Sequence, residues 1–226
     1  MLNMVKNVAI FGDSILRGIQ LDSDNKRYCV KNTINMEQIS SKHSIVIDNF
    51  SMFGCTIQKG YAILQKRLNR KPFNIAIIEY GGNDCDFNWK EIAEQPNDRH
   101  LPNTPLDVFA QTYRKIISTL KTKCIEPLLI TLPPLDPQRF FDWFCRDLNK
   151  ANVLQWLGTV NTIYRFQESY SNMIEKIARE TKTYLVDLRG AFLDHFHLEN
   201  LLCEDGTHPN TAGQKVITDV FLNYSF

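Results

Sequence analysis

A serine follows the first apolar run of the chain. Residues 8–11 are continuously apolar, and Gly12-Asp13-Ser14 comes directly after them. In an open parallel sheet, ligands bind beyond the carboxyl ends of the strands, which places Ser14 where a substrate would lie. Residues 15–17 are compatible with a helix, whose first N–H groups could stabilise an oxyanion on a carbonyl that Ser14 attacks. The segment alone is equally compatible with a serine that only caps a helix.

A histidine and a carboxylate lie close together near the C-terminus. Asp205 precedes His208 by three residues, and Gly206 and Pro209 make the segment a tight loop. A carboxylate at this spacing can accept the Nδ1–H of the imidazole, which leaves Nε2 as a base toward a serine. A water-exposed histidine beside the cap of the next helix would also account for the segment.

Two further loops offer hydrogen-bond donors at the same predicted edge of the sheet. Gly81-Gly82 lets the backbone approach a ligand closely, and Asn83 then presents its side-chain amide. Gly54 could expose a backbone N–H after an earlier strand. Each loop also fits a plain turn. Together with the serine, histidine and aspartate, however, these donors indicate one shared site.

The elements that must position these loops alternate along the chain. Five continuous apolar runs are typical of strands covered on both faces, at 8–11, 45–47, 75–78, 127–131 and 184–187. Apolar residues recur at helical spacing at 58–68, 106–120, 162–180 and 211–222. The alternation predicts an α/β fold, a three-layer α/β/α sandwich with right-handed crossovers. We interpret the polar stretch 22–44 as a loop plus a helix.

The segment 133–158 does not fit this alternation. Its aromatic residues are Phe140, Phe141, Trp143, Phe144 and Trp156. We interpret it as a helical insertion within one domain that spans residues 1–226. Two roles are open at this point. The aromatic side chains could be buried in the core or in a dimer contact, or they could form a wall or lid of the substrate pocket.

Composition excludes several classes of protein. A chain of 226 residues with 43% apolar and 23% charged residues can bury one substantial core and is not disordered. A net charge of +1 predicts no nucleic-acid partner, and no run approaches the ~20 apolar residues of a membrane span. The six cysteines form no C-x-x-C pair and the N-terminus carries no export signal, so we expect reduced thiols and a cytoplasmic protein.

The polar segments resemble, in order, the sequence blocks of the SGNH hydrolases, also known as GDSL-like lipases and esterases. Gly12-Asp13-Ser14 resembles the block that carries the nucleophile, and Gly54 matches the glycine block. Asn83, within Gly-Gly-Asn-Asp, matches the Gly-x-Asn-Asp block. Asp205 and His208 match the final Asp-x-x-His block. The resemblance covers nearly the whole chain, and the combination of blocks is far more specific than any one of them.

The resemblance implies a flavodoxin-like sandwich with a central parallel sheet of about five strands, and a serine esterase that needs no cofactor or metal. Ser14 would be the nucleophile, His208 the general base and Asp205 the group that orients it. The backbone N–H groups of Ser14 and Gly54 and the side-chain amide of Asn83 would form the oxyanion hole. The partner would be a small or medium carboxylic ester, whose acyl and alcohol groups the sequence does not name. A homo-oligomer is compatible with the sequence.

Two other functions compete with this interpretation. A metal-dependent hydrolase could use a group of candidate ligands near the C-terminus, namely His195, His197, Cys203, Asp205 and His208. The polar setting of His195 and His197 favours solvated side chains instead. A non-catalytic flavodoxin-like module that binds a nucleotide or flavin would use the same fold. The chain has neither G-x-G-x-x-G nor G-x-x-x-x-G-K-[ST], and it also lacks the G-x-S-x-G of α/β-hydrolases.

Overall fold

A parallel sheet of five strands forms the centre of the computed structural model, which describes residues 5–31 and 33–226. In chain order the strands are β1 (Lys6–Gly12), β2 (Ile19–Asp22), β3 (Arg27–Val30), β4 (Ile45–Asn49), β5 (Ile75–Glu79), β6 (Glu126–Ile130) and β7 (Tyr184–Val186). The central sheet has the order β4-β1-β5-β6-β7, with parallel neighbours throughout. Among these five strands alone this is the order 2-1-3-4-5 of flavodoxin-like folds, whose ligands bind where the strand order reverses.

Helices cover both faces of this sheet. They are α1 (Met36–His43), α2 (Ile57–Leu68), α3 (Trp89–Glu94), α4 (Leu106–Thr122), α5 (Pro137–Phe144), α6 (Lys150–Leu157), α7 (Asn161–Thr181), α8 (Leu188–Leu193) and α9 (Thr211–Asn223). Alternate residues of β1 face opposite layers: Ala9 and Phe11 pack in the cluster with α2, α4 and α7, while Val8 and Ile10 pack in the cluster with α1, α8 and α9. The predicted three-layer α/β/α sandwich is therefore confirmed.

The polar stretch 22–44 is more ordered than the predicted loop plus helix. It holds α1, but it also holds β3, which pairs with β2 in an antiparallel ribbon outside the central sheet. The ribbon is short and β3 is mostly exposed, so β3 lacks the continuous apolar run that reveals the buried strands.

The predicted helix directly after Ser14 is wrong. Residues 14–18 form turns, in which the Arg17 N–H donates to the Asp13 carbonyl at 3.1 Å. Gly18 has a φ of +74°, a left-handed conformation that leads the chain into β2. The positive end of a helix dipole is consequently not available to the serine from this segment.

The aromatic insertion contains α5 and α6 and forms a third apolar cluster beside the sandwich. Phe141 of α5 and Val153 of α6 are buried there, together with Trp89 of α3 and Ile163 of α7. In the part of the chain that the structure describes, no helix has both the length and the apolar character that crossing a bilayer requires.

Candidate active site

Three predicted site residues form a hydrogen-bonded chain where the strands of the sheet end. The Ser14 Oγ lies 2.9 Å from the His208 Nε2, and the His208 Nδ1 lies 2.6 Å from the Asp205 Oδ2. Ser14 follows β1, and the other two residues lie in the loop before α9, so residues 194 positions apart meet across the sheet edge. This is the geometry in which an imidazole can take a proton from a serine hydroxyl.

The Asp205 carboxylate is fully buried and well provided with donors. Its Oδ1 accepts the backbone N–H groups of Thr207 and His208, each at 3.1 Å, while its Oδ2 accepts from the imidazole. Burial alone would raise the pKa of Asp205, but the hydrogen bond and charge of His208 and the two backbone donors outweigh it, and the pKa is lowered. An ionised Asp205 can only accept, so the His208 Nδ1 carries the proton and Nε2 is free to accept from Ser14.

Backbone hydrogen bonds close the loop that carries Asp205 and His208. The Cys203 N–H donates to the His208 carbonyl at 2.8 Å, and the Gly206 N–H donates to the Cys203 carbonyl at 3.0 Å. Gly206 has a φ of +73°, which L side chains rarely adopt. Its carbonyl accepts the Asp136 N–H at 2.8 Å, so this loop is tied to the first turn of α5.

A buried carboxyl group supports the turn that carries Ser14. Asp13 Oδ1 accepts the Ile15 N–H at 2.9 Å, and its Oδ2 accepts the Asn83 side-chain amide at 2.9 Å. The Asp13 N–H in turn donates to the Glu79 Oε2 at 3.2 Å. Burial raises the pKa of both carboxyl groups, and the negative charge of Asp13 raises that of Glu79 further. Asp13 therefore connects the serine turn to the loop of Asn83.

The three predicted oxyanion donors differ in whether the protein already supplies them with an acceptor. Within residues 5–31 and 33–226, neither the Ser14 N–H nor the Gly54 N–H has a protein acceptor. Gly54 has a φ of +65°, in the loop between β4 and α2. Asn83 uses its amide nitrogen toward Asp13, with a longer 3.5 Å contact to the Cys55 carbonyl. One of its two N–H bonds is thus engaged in positioning, and the other has only a weak protein acceptor.

Two aromatic rings that the sequence did not single out enclose the imidazole. The ring of Tyr28, on β3, lies 4.8 Å from that of His208, and the ring of Phe53 stacks on it at 6.0 Å. Burial and the nearby charge of Asp205 both raise the pKa of Tyr28. Tyr28 lies in the polar stretch 22–44. The only signal that could have revealed it is the short alternating pattern after the polar turn at 22–26.

A cavity of about 350 Å³ opens beside Ser14 and His208. Part of its lining is an aromatic wall whose described residues come from α3, from the insertion and from α7: Trp89, Phe140, Trp143, Phe144 and Phe166. The aromatic residues of the insertion lie in two places, because Phe141 is buried in the third cluster while three others line the cavity.

The candidate metal ligands near the C-terminus do not converge. His197 is exposed and contacts Glu199 at 2.9 Å, and His195 is also exposed. Across the described ranges, no three histidine, cysteine, aspartate or glutamate side chains are arranged as a metal site. The two members of that group that do meet, Asp205 and His208, are bonded to each other.

Comparison with known proteins agrees with this architecture. Residues 10–216 match the model of the GDSL-like lipase/acylhydrolase family. The chain is 27% identical over 213 residues to thioesterase 1/protease 1/lysophospholipase L1 of Escherichia coli K12, covering 93% of this chain and 78% of that protein.

Solved structures show the same fold. A lipase/acylhydrolase from Enterococcus faecalis superposes with a TM-score of 0.67 at 17% identity, covering 96% of this chain and 94% of that one. The acetylxylan esterase Axe2 from Geobacillus stearothermophilus superposes with a TM-score of 0.65 at 18% identity, covering 96% and 92%. The family match over most of its length shows that the chain belongs to the GDSL-like lipase/acylhydrolase family and is a carboxylic ester hydrolase.

Proposed function

We propose that this protein is a serine esterase in which Ser14, His208 and Asp205 form the catalytic triad. The observation that carries the proposal is the continuous hydrogen-bonded chain from the buried carboxylate through the imidazole to the serine hydroxyl, at 2.6 and 2.9 Å. The substrates are small or medium carboxylic esters.

In the first half of the reaction the serine is acylated. His208 Nε2 takes the proton of Ser14 while its Oγ attacks the ester carbonyl carbon. The tetrahedral intermediate then collapses as the imidazolium returns that proton to the leaving alkoxide, which departs as the alcohol. Asp205 stabilises the imidazolium through the Nδ1–H and keeps the ring in the productive tautomer.

In the second half a water molecule releases the acyl group. His208 takes a proton from the water as its oxygen attacks the acyl-enzyme, and the proton then returns to the Ser14 oxygen. Both tetrahedral intermediates carry a negative oxygen. We assign its stabilisation to the N–H groups of Ser14 and Gly54 and to the amide of Asn83, since the first two have no other acceptor among the described residues.

We further propose that the insertion at 133–158 is a wall of the substrate pocket. The support is that Phe140, Trp143 and Phe144 line the cavity beside the serine. A cavity of about 350 Å³ lies at the small end of ligand pockets. Because the E. coli relative is named as a thioesterase and lysophospholipase and a structural neighbour as an acetylxylan esterase, acyl thioesters, lysophospholipids and acetylated sugars belong in the substrate panel.

A labelling experiment tests the nucleophile. A fluorophosphonate should form one covalent adduct on Ser14, located by peptide mass spectrometry, and Ser14→Ala should abolish both labelling and hydrolysis of p-nitrophenyl acetate. Ser118→Ala, a change at an exposed position of α4, is the matched control and should keep both. Labelling at another residue, or full turnover in Ser14→Ala, would reject the assignment.

A second pair of variants separates the triad from the metal-dependent alternative. His208→Gln should abolish hydrolysis, whereas His197→Gln should leave it intact, because the His197 side chain is 63% exposed and bonded to Glu199. Loss of activity in His197→Gln, or loss on treatment with a chelator, would favour a metal site instead.

A further inference from the structure

A carboxylate that has no ion-pair partner among the described residues lies in the same cavity as the serine. Asp86 follows Asn83 by three residues on the loop between β5 and α3, and it lines the cavity together with Ser14. Its Oδ1 accepts the indole N–H of Trp89 at 2.7 Å. The proposed hydrolysis gives this carboxylate no role.

Among the residues that the structure describes, no basic side chain balances the charge of Asp86. Burial raises the pKa of Asp86 to about 6, although hydrogen bonds from the Phe87 N–H and the Trp89 indole act to lower it. No basic group of the described residues lies close enough to lower this pKa further. Asp86 is half-buried, so its carboxylate has lost part of its hydration without gaining a positive partner, and a ligand that supplies the positive charge offsets that cost.

The walls around Asp86 also suit a cation. The indole of Trp89 stacks on Phe144 with ring centroids 4.1 Å apart, and further rings complete the aromatic wall of the cavity. Aromatic faces attract ammonium groups through their negative quadrupole, and the attraction strengthens when water is excluded.

The one arginine among the described lining residues does not neutralise the site. Arg146 is exposed, its guanidinium stacks on Trp143 at 4.2 Å, and its Nε lies 3.5 Å from Asp147. The same lining holds two other carboxyl groups, Asp13 and Glu79, and its described residues include no lysine.

We propose that the cavity selects esters that carry a positively charged ammonium group, bound by the Asp86 carboxylate and the aromatic wall. This inference rests on the proposed function, because the ammonium group must share a cavity with the acylated serine. Ordinary aliphatic esters lack the charged group and therefore do not belong to this substrate class.

Two pairs of substrates test the selection, one for each side of the ester. Acetylcholine is compared with 3,3-dimethylbutyl acetate, and the p-nitrophenyl ester of 4-(trimethylammonio)butanoate with that of 5,5-dimethylhexanoate. Within each pair, carbon replaces the charged nitrogen and the shape is kept. We expect kcat/KM of the wild type to favour the charged member of at least one pair by about tenfold or more.

Asp86→Asn should reduce that preference by about tenfold while Asp194→Asn, an exposed change distant in sequence, should preserve it. Hydrolysis of the neutral esters with no preference for charge in either pair would overturn the inference and leave the esterase intact. An unchanged preference in Asp86→Asn would overturn it as well.

Binding without turnover keeps the two proposals separate. Choline, but not 3,3-dimethylbutan-1-ol, should shift the NMR signal of the Trp89 indole N–H, because that N–H donates to Asp86. If no ester is hydrolysed, this titration still decides whether the cavity binds an ammonium group. A titration in which choline shifts nothing, or both compounds shift the signal equally, would refute the inference.

Discussion

Gly206→Ala should reduce turnover by more than the backbone strain of an alanine at this position explains. Gly206 has a φ of +73°, and a Cβ built on it would lie 2.6 Å from the Asp136 carbonyl oxygen and 2.8 Å from the backbone nitrogen of Phe140. These are backbone atoms of the first turn of α5, so no flexible side chain can yield. The new methyl group must push the loop of Asp205 and His208 away from the insertion.

The structure offers a matched control for this change. Gly158 has a similar φ of +72°, but a Cβ there meets nothing within 4 Å. Both variants force alanine into the left-handed region, at a cost of roughly 1–2 kcal/mol each. Only Gly206→Ala adds the steric term, which for an overpacked site is about 1–3 kcal/mol and corresponds to a further loss in Tm of about 2–12 °C at this chain length.

The effect on catalysis follows from the distance that the loop must move. The added Cβ is about 0.8 Å short of ordinary van der Waals contact with the Asp136 oxygen. A displacement of about 1 Å in a reacting group can cost about 10²-fold in rate, so kcat for p-nitrophenyl acetate should fall by about 10- to 100-fold. Scanning calorimetry and steady-state kinetics on both variants measure the two effects. Equal Tm and equal kcat in Gly206→Ala and Gly158→Ala would refute the reasoning.

Three further predictions concern the polar network. Asp205→Asn should reduce kcat by about 10⁴-fold, because the amide cannot hold the Nδ1–H tautomer; steady-state kinetics check this, and a loss under tenfold would contradict it. Asn83→Ala should reduce kcat by about 10²–10³-fold, because an oxyanion donor is lost. It should also lower the free energy of unfolding by about 1–3 kcal/mol, since Asp13 loses a buried donor. Steady-state kinetics and denaturant titration measure the two effects, and an unchanged kcat would contradict the oxyanion role. Because the pKa of Asp205 is lowered by folding, its contribution to stability is present above its unfolded pKa of about 3.9 and is lost as pH falls through the folded value. The free energy of unfolding of the wild type should therefore fall more steeply than that of Asp205→Asn on acidification below about pH 4, and parallel curves would exclude this linkage.

Local patterns in the chain were sufficient to predict the layers of the fold. The three inner strands of the sheet, β1, β5 and β6, are buried on both faces, so each appears as a continuous apolar run whose nature does not depend on distant residues. The long helices α4 and α7 bury one face, and helical spacing reveals that face directly. In a short strand that is mostly exposed, as β3 is, this signal is absent, and the sequence there predicted only a loop.

The residue types of the candidate site could also be read from the sequence, because Ser14, Asn83 and the Asp205–His208 pair each lie in short polar segments beside predicted elements. Their contact could only be inferred, since it joins residues 194 positions apart and depends on the order of strands in the sheet. Tertiary structure alone decided the position of Tyr28 beside His208, the tie from Gly206 to α5 and the place of Asp86 in the cavity lining. Sequence specifies which groups a loop carries, whereas packing of distant elements determines which groups that loop meets.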